Sequence, residues 1–161
     1  MGPYDAANTI FILTNLAKIY TQSQTRAWIT SGVEKATADP YMLHHYGEAW
    51  TNLEAATLLT DRANQLVQTA WEKGNELTAA ERGECAVAIA TAKTFVTRIG
   101  LEITSNIFDW MGARATSSQY GFDRFWRNLR TFTLHDPVDY KIRALGNWVL
   151  NGEFPTPDFY S

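Results

Sequence analysis

Residues 78–112 read TAAERGECAVAIATAKTFVTRIGLEITSNIFDWMG, and this stretch decides the fold class. Ala88, Ala92, Phe95, Ile99, Ile103, Ile107 and Trp110 recur at intervals of three and four residues, the spacing of one face of an α-helix. Thr78-Ala79-Ala80-Glu81 is a capping box, in which Thr and Glu each satisfy an otherwise orphaned N–H at the helix start, and Gly112 stands where the helix should stop. The spacing therefore predicts one helix of more than thirty residues, roughly 45 to 50 Å long at ~1.5 Å per residue. An element of that length needs partners of similar length.

Upstream, Asp39-Pro40 is a start signal, because Asp caps free N–H groups and Pro at the first helical position gives up a bond that would not form anyway. A second helix follows from Pro40 to about Lys73, with the stripe Tyr46, Ala49, Leu53, Ala56, Leu59, Ala63, Leu66 and Ala70, and Gly74 as its stop. A first helix is expected from Tyr4 to Ile29, with Ile10, Leu13, Ala17 and Tyr20 on one face and Gly32 past its end, before a loop from Ser31 to Asp39. Downstream of Gly112, a polar loop from Ala113 to Gly121 leads into Phe122, Phe125, Trp126, Leu129 and Phe132, again at helical spacing and ending near Leu134. Asp136-Pro137 repeats the start signal for a last helix to about Asn151, with Asp136 as its cap, and the tail Glu153 to Ser161 should lie extended along the bundle. Long helices and short loops predict an all-α, up-and-down bundle of antiparallel helices forming a single domain over residues 1–161.

Composition agrees with one packed domain: 161 residues, 45% hydrophobic and 19% charged. The lone Cys85 excludes a disulfide framework and a cysteine-based zinc site. A net charge of −3 disfavours long-range attraction to nucleic acid or anionic membrane. No run approaches the 18 or so apolar residues of a membrane span, and no basic stretch precedes an apolar run at the N-terminus. The expectation is a soluble cytoplasmic protein with neither nucleic acid nor membrane as partner.

Several chemistries are absent from the sequence. None of His44, His45 or His135 has Glu three residues before it, which removes the pairing a di-iron bundle needs, and no metal site is expected. There is no phosphate-binding glycine loop and no nucleophile elbow. Two features remain. From Arg114 to Arg143, six basic residues (Arg114, Arg124, Arg127, Arg130, Lys141, Arg143) face three acidic ones (Asp123, Asp136, Asp139) within an otherwise acidic chain. Such a segment suits a local phosphate or carboxylate, or else its arginines pair with acids on neighbouring helices. The second feature is Thr133-Leu134-His135-Asp136-Pro137, where one helix ends and another starts. A helix N-terminus beside His135 disfavours imidazolium, and a neutral imidazole there could exchange a proton near pH 7; alternatively His135 fills the corner and bonds a backbone carbonyl. His44-His45 point about 100° apart on a helix and suit solvated or capping roles.

Phe125-Trp126-Arg127-Asn128-Leu129-Arg130-Thr131, with Thr133-Leu134-His135-Asp136-Pro137-Val138-Asp139-Tyr140-Lys141, resembles the C-terminal domain of flavin-dependent monooxygenases built on the acyl-CoA dehydrogenase fold, the dibenzothiophene monooxygenase group. Asp39-Pro40-Tyr41, Tyr46-Gly47-Glu48, Gly112-Ala113-Arg114-Ala115-Thr116, Gly152-Glu153-Phe154-Pro155 and Phe159-Tyr160-Ser161 extend the likeness over nearly the whole chain. The resemblance implies the four-helix-type C-terminal bundle of a longer flavoenzyme, a homo-oligomer (dimer or tetramer). It implies reduced flavin (FMN or FAD) delivered by a separate reductase, and transfer of one oxygen atom from O₂ to a small organic substrate. It further implies that Arg26 reaches the flavin phosphate, that Arg114 does so across a subunit interface, and that His135 stands at the reactive edge of the flavin as the candidate catalytic residue. Phe132 replaces a histidine often found three residues before His135, making that position more apolar. Asp136-Pro137 falls where many acyl-CoA dehydrogenases keep a catalytic Glu-Gly pair. Two alternatives stand beside the monooxygenase: a true acyl-CoA dehydrogenase with Asp136 as base, and a bundle that only mediates subunit assembly.

Overall fold

The computed structural model describes residues 3–157. Five α-helices carry the fold: α1 (Pro3–Ser23), α2 (Pro40–Lys73), α3 (Ala79–Met111), α4 (Asp123–His135) and α5 (Val138–Asn151). No strand is formed among the described residues; a single bridge joins Arg26 to Lys35. The all-α expectation holds.

The local signals explain most boundaries. The Asp39 side chain accepts from the Tyr41 N–H at 2.9 Å, as its place before Pro40 requires. Thr78 and Glu81 complete the capping box, with Glu81 N–H to Thr78 Oγ1 at 3.3 Å and Thr78 N–H to Glu81 Oε2 at 3.0 Å. Lys73 also bonds Glu81, and these contacts, the Lys73 one foremost, pull the Glu81 carboxyl down to about 2. Gly112 closes α3 at φ 87°, a conformation that a side chain would strain.

α3 is the central column. Ile10 lies against Gly100, and the Thr25 hydroxyl donates to the Met111 carbonyl at 3.0 Å, so α1 runs parallel to α3. Tyr46 meets Trp110 near the start of α2, while Ala63 packs with Ala88 and Ala92, so α2 runs the other way. Leu129 reaches Gly100, the Phe132 ring lies under Lys93, and α5 passes Ala90 and then Ala86, so α4 and α5 together form one descending column. The result is an up-down-up-down bundle whose fourth column is broken at Asp136-Pro137. Ile10, Leu13, Ile107, Met111 and Leu129 are fully buried where α1, α3 and α4 meet. The alanine-rich first half of α3 instead lets α2 and α5 come close.

Two expectations are corrected. α1 stops at Ser23 rather than Ile29: the Ser23 hydroxyl folds back to the Ile19 carbonyl at 2.8 Å, and Thr25 turns onto the end of α3. Trp28 and Ile29, 74% and 96% exposed, sit in a loop and bury nothing in this chain. Second, Asp136 is not the cap of α5, which starts after Pro137 with no side-chain cap. Its carboxylate is engaged elsewhere, as described below. Beyond Gly152 the chain is irregular through Pro157, and Phe154 packs on Gly83, where a Cβ would lie 2.3 Å from the ring. The end of the expected tail, including Phe159-Tyr160-Ser161, lies outside the described residues.

Candidate functional site

The fold gathers Arg26 and Arg114 at one end of the bundle. The Thr25–Met111 hydrogen bond pins the loop that carries Arg26 to the last residue of α3, and Arg114 follows in a 3-10 turn at Ala113–Thr116. Both arginines are exposed. Arg26 lines a cleft of about 690 Å³ with Trp28, Lys35 and Thr37. Tyr20, Tyr120 and Phe122 form the aromatic floor of this end, with Tyr20 edge-on to Tyr120 at 5.0 Å and to Phe122 at 5.6 Å. Burial pushes the Tyr20 phenol up and the neighbouring Tyr120 adds to this, while the Arg114 guanidinium is near enough to oppose it. An exposed guanidinium at this end of the bundle suits a phosphate in charge and in the geometry of its donors.

His135 lies elsewhere. It is the last residue of α4 and is exposed, and its neighbour Asp136 is tied to Lys93 on α3. From Lys93 to Met111 along α3 is roughly 27 Å at ~1.5 Å per residue. The two arginines thus stand at one end of the bundle and His135 at another level along α3. His135 stands in the last turn of α4 and three residues before α5 begins.

Among the described residues, most arginines of the basic segment make no ion pair to another helix. Arg127 pairs with Asp123 within α4 at 2.7 Å, Arg124 lies 4.9 Å over the Phe125 ring, and Arg143 lies 5.5 Å over Tyr140. Such exposed pairs contribute little to stability, about 0 to 1 kcal/mol each. His44 pairs with Glu48 at 3.3 Å, and His45 stacks on Trp110 with ring planes 9° apart, so neither caps a helix. No His, Cys, Asp or Glu grouping among the described residues could hold a metal ion.

One constellation escaped the sequence reading. Lys93, 6% exposed in the middle of α3, donates to Asp136 Oδ2 at 2.5 Å, and Lys141 approaches the same oxygen at 3.5 Å. The Lys93 ammonium also lies 5.1 Å over the buried Phe132 ring, so Phe132 fills the α3–α4 contact. An oxygen engaged by two ammonium groups is poorly placed to take a proton from a substrate. The signal was present in the sequence: Lys93 is the one charged residue between Glu84 and Arg98.

Comparisons with known proteins agree with this architecture. The acyl-CoA dehydrogenase C-terminal domain family matches residues 14–140. Over 145 residues, 90% of this chain, the sequence is 51% identical to a probable FMNH2-dependent monooxygenase of Pseudomonas putida and 51% identical to a dibenzothiophene monooxygenase of Mycolicibacterium goodii. The chain spans little more than a third of those relatives, 37% and 35% of their lengths. Among solved structures, methanesulfinate monooxygenase MsuC from Pseudomonas fluorescens superposes with a TM-score of 0.97 at 49% identity, covering 99% of this chain and 41% of that one. FMN-bound TdsC from Paenibacillus sp. A11-2 superposes at 0.92 with 46% identity, covering 97% and 39%. By sequence and by architecture, this chain belongs to the acyl-CoA dehydrogenase C-terminal domain family.

Proposed function

We propose that the chain is the flavin-contacting and oligomerising C-terminal domain of a two-component flavin-dependent monooxygenase. The observation that carries this reading is its 46% identity and near-complete superposition with the matching part of FMN-bound TdsC. The cofactor proposed is reduced flavin, FMN rather than FAD, supplied by a separate reductase; when bound, it supplies the reaction with O₂ that oxygenates a small organic substrate. The protein side is simpler. Arg26 and Arg114 hold the flavin phosphate, and His135 stands at the reacting edge to hold or move a proton.

Each site is completed between copies, with Arg26 of one chain and Arg114 of another holding the same phosphate across the subunit interface. Exposed Trp28 and Ile29 beside Arg26 support this, as do Val149 and Leu150 on α5, 71% and 83% exposed. Apolar groups left so open suit burial against other subunits or domains. The chain is accordingly expected to self-associate. Sedimentation at increasing concentration should show dimers or larger species, and a monomer at all concentrations would count against the assembly.

Flavin binding gives the sharper test. This chain supplies phosphate contacts, and the cleft beside Arg26 is open rather than enclosing, so FMN should bind it weakly, and Arg26→Ala or Arg114→Ala should weaken that binding further. Loss of a charge-assisted phosphate contact removes about 1.5 to 3 kcal/mol, at least a tenfold change. Micromolar or tighter affinity that survives both substitutions would show that these residues do not hold the cofactor. The acyl-CoA dehydrogenase alternative needs a carboxylate base, and Asp136 is bound to Lys93 and Lys141.

A further inference from the structure

The break between α4 and α5 is held by an ion pair from another helix. Asp136 has extended backbone, φ −138° and ψ 98°, and α5 begins behind Pro137 with no side-chain cap. What crosses the break is charge: the Lys93 ammonium, held within α3, reaches the Asp136 carboxylate at 2.5 Å, and Lys141 from the first turn of α5 comes to the same oxygen at 3.5 Å. The three side chains are nearly closed to solvent, with 8%, 16% and 13% exposed for Lys93, Asp136 and Lys141. A buried ammonium in an apolar column is costly unless paired, so Lys93 and Asp136 hold each other in place. Phe132, one turn before Asp136, is clamped by the same ammonium at 5.1 Å. His135 lies between Phe132 and Asp136 in sequence, and both of those are tied to Lys93.

We infer that Lys93 is a positioning residue: through Asp136 it fixes the α4–α5 elbow and thereby sets where the His135 imidazole is presented. The inference rests on the proposed role of His135 for its functional meaning. Its structural content is independent of any flavin. Lys93 touches no reacting atom and acts only through Asp136 and Phe132.

The test uses the whole chain, labelled for NMR, without flavin. The readouts are the ring resonances of His135, His44 and His45 and the backbone amides of residues 134–138. In Lys93→Met the His135 ring signal and the elbow amides should shift and broaden, while His44 and His45 on α2 stay in place. Lys93→Arg keeps the cation and should restore the His135 signal. Should Lys93→Met fail to fold with Asp136 left partly uncompensated, the double variant Lys93→Met with Asp136→Leu removes the shorter ion pair while retaining bulk, an exchange that buried ion pairs often tolerate, and Lys141 at the start of α5 turns its long stem out to solvent. In that folded variant the His135 signal should again move. A His135 signal unchanged in whichever of Lys93→Met and the double variant folds would overturn the inference. So would equal shifts of all three histidines, which would mark general loosening. FMN binding weakened on Arg26→Ala tests the functional reading separately, so failure of one leaves the other standing.

Discussion

His135→Ala, in the longer flavoenzyme to which we assign this domain, should lower oxygenated product by about 10² to 10⁴-fold, the range for removing a positioned proton-transfer group. Reduced flavin should still be consumed, its electrons passing to hydrogen peroxide, and substrate affinity should change little. Histidine is suited to the task because its charge changes near neutral pH, and here it ends α4 in an exposed position at a fixed elbow. The measurement is the ratio of oxygenated product to peroxide per reduced flavin consumed. Unchanged coupling in His135→Ala would remove His135 from the reaction. Asp136→Asn is expected to act differently, because an amide leaves the buried Lys93 without its counter-charge. Its effect should fall on stability first. If Asp136→Asn instead abolished turnover of an acyl-CoA in a protein that remained folded, while His135→Ala left that turnover intact, the dehydrogenase reading would replace the monooxygenase one.

The parts of the fold that were legible in the sequence are those fixed by neighbours three or four residues away. The Asp39 cap, the Thr78–Glu81 box and the stops at Gly74 and Gly112 are local chemistry, and all are found where the spacing puts them. The end of α1 was misjudged because Trp28 and Ile29 extend an apolar pattern without packing inside this chain. Periodicity reports that a residue is apolar, not what will cover it. Asp136 was misjudged for the converse reason: Asp-Pro is a local start signal, but a lysine 43 residues earlier takes the carboxylate. A cap bond of about 1 kcal/mol loses to the several kcal/mol that a buried ammonium forfeits if left unpaired. The separation of His135 from Arg26 and Arg114 was likewise invisible, since it depends on the direction in which α4 runs back along α3.

The same return of α4 along α3 predicts an effect whose sign depends on context. Leu129 is fully buried, and its Cδ2 would lie 2.6 Å from a Cβ placed on Gly100, with Ile10 Cδ1 at 2.8 Å from the same point. Leu129→Ala should cost about 2 to 5 kcal/mol, since the transfer energy of the lost methyls adds to a void that three packed helices cannot fully close. Thermal unfolding should fall by roughly 5 to 20 °C for a domain of this size. Gly100→Ala in the otherwise native chain meets two opposed terms. Alanine favours a helix by about 1 kcal/mol over glycine, but forcing a methyl into this crossing costs about 1 to 3 kcal/mol because the terminal carbons of Leu129 and Ile10 must both shift within a fully buried contact. The net should be destabilising. In the Leu129→Ala background the obstructing methyls are gone and Ile10 can lean into the vacated volume, so the packing penalty falls while the helix preference remains. There Gly100→Ala should stabilise, by up to about 1 kcal/mol. A double-mutant cycle in denaturant checks this directly: coupling of about 0.5 to 3 kcal/mol is expected for side chains in contact. Effects that simply add would mean that α1, α3 and α4 do not meet at Gly100 as closely as the structure has them.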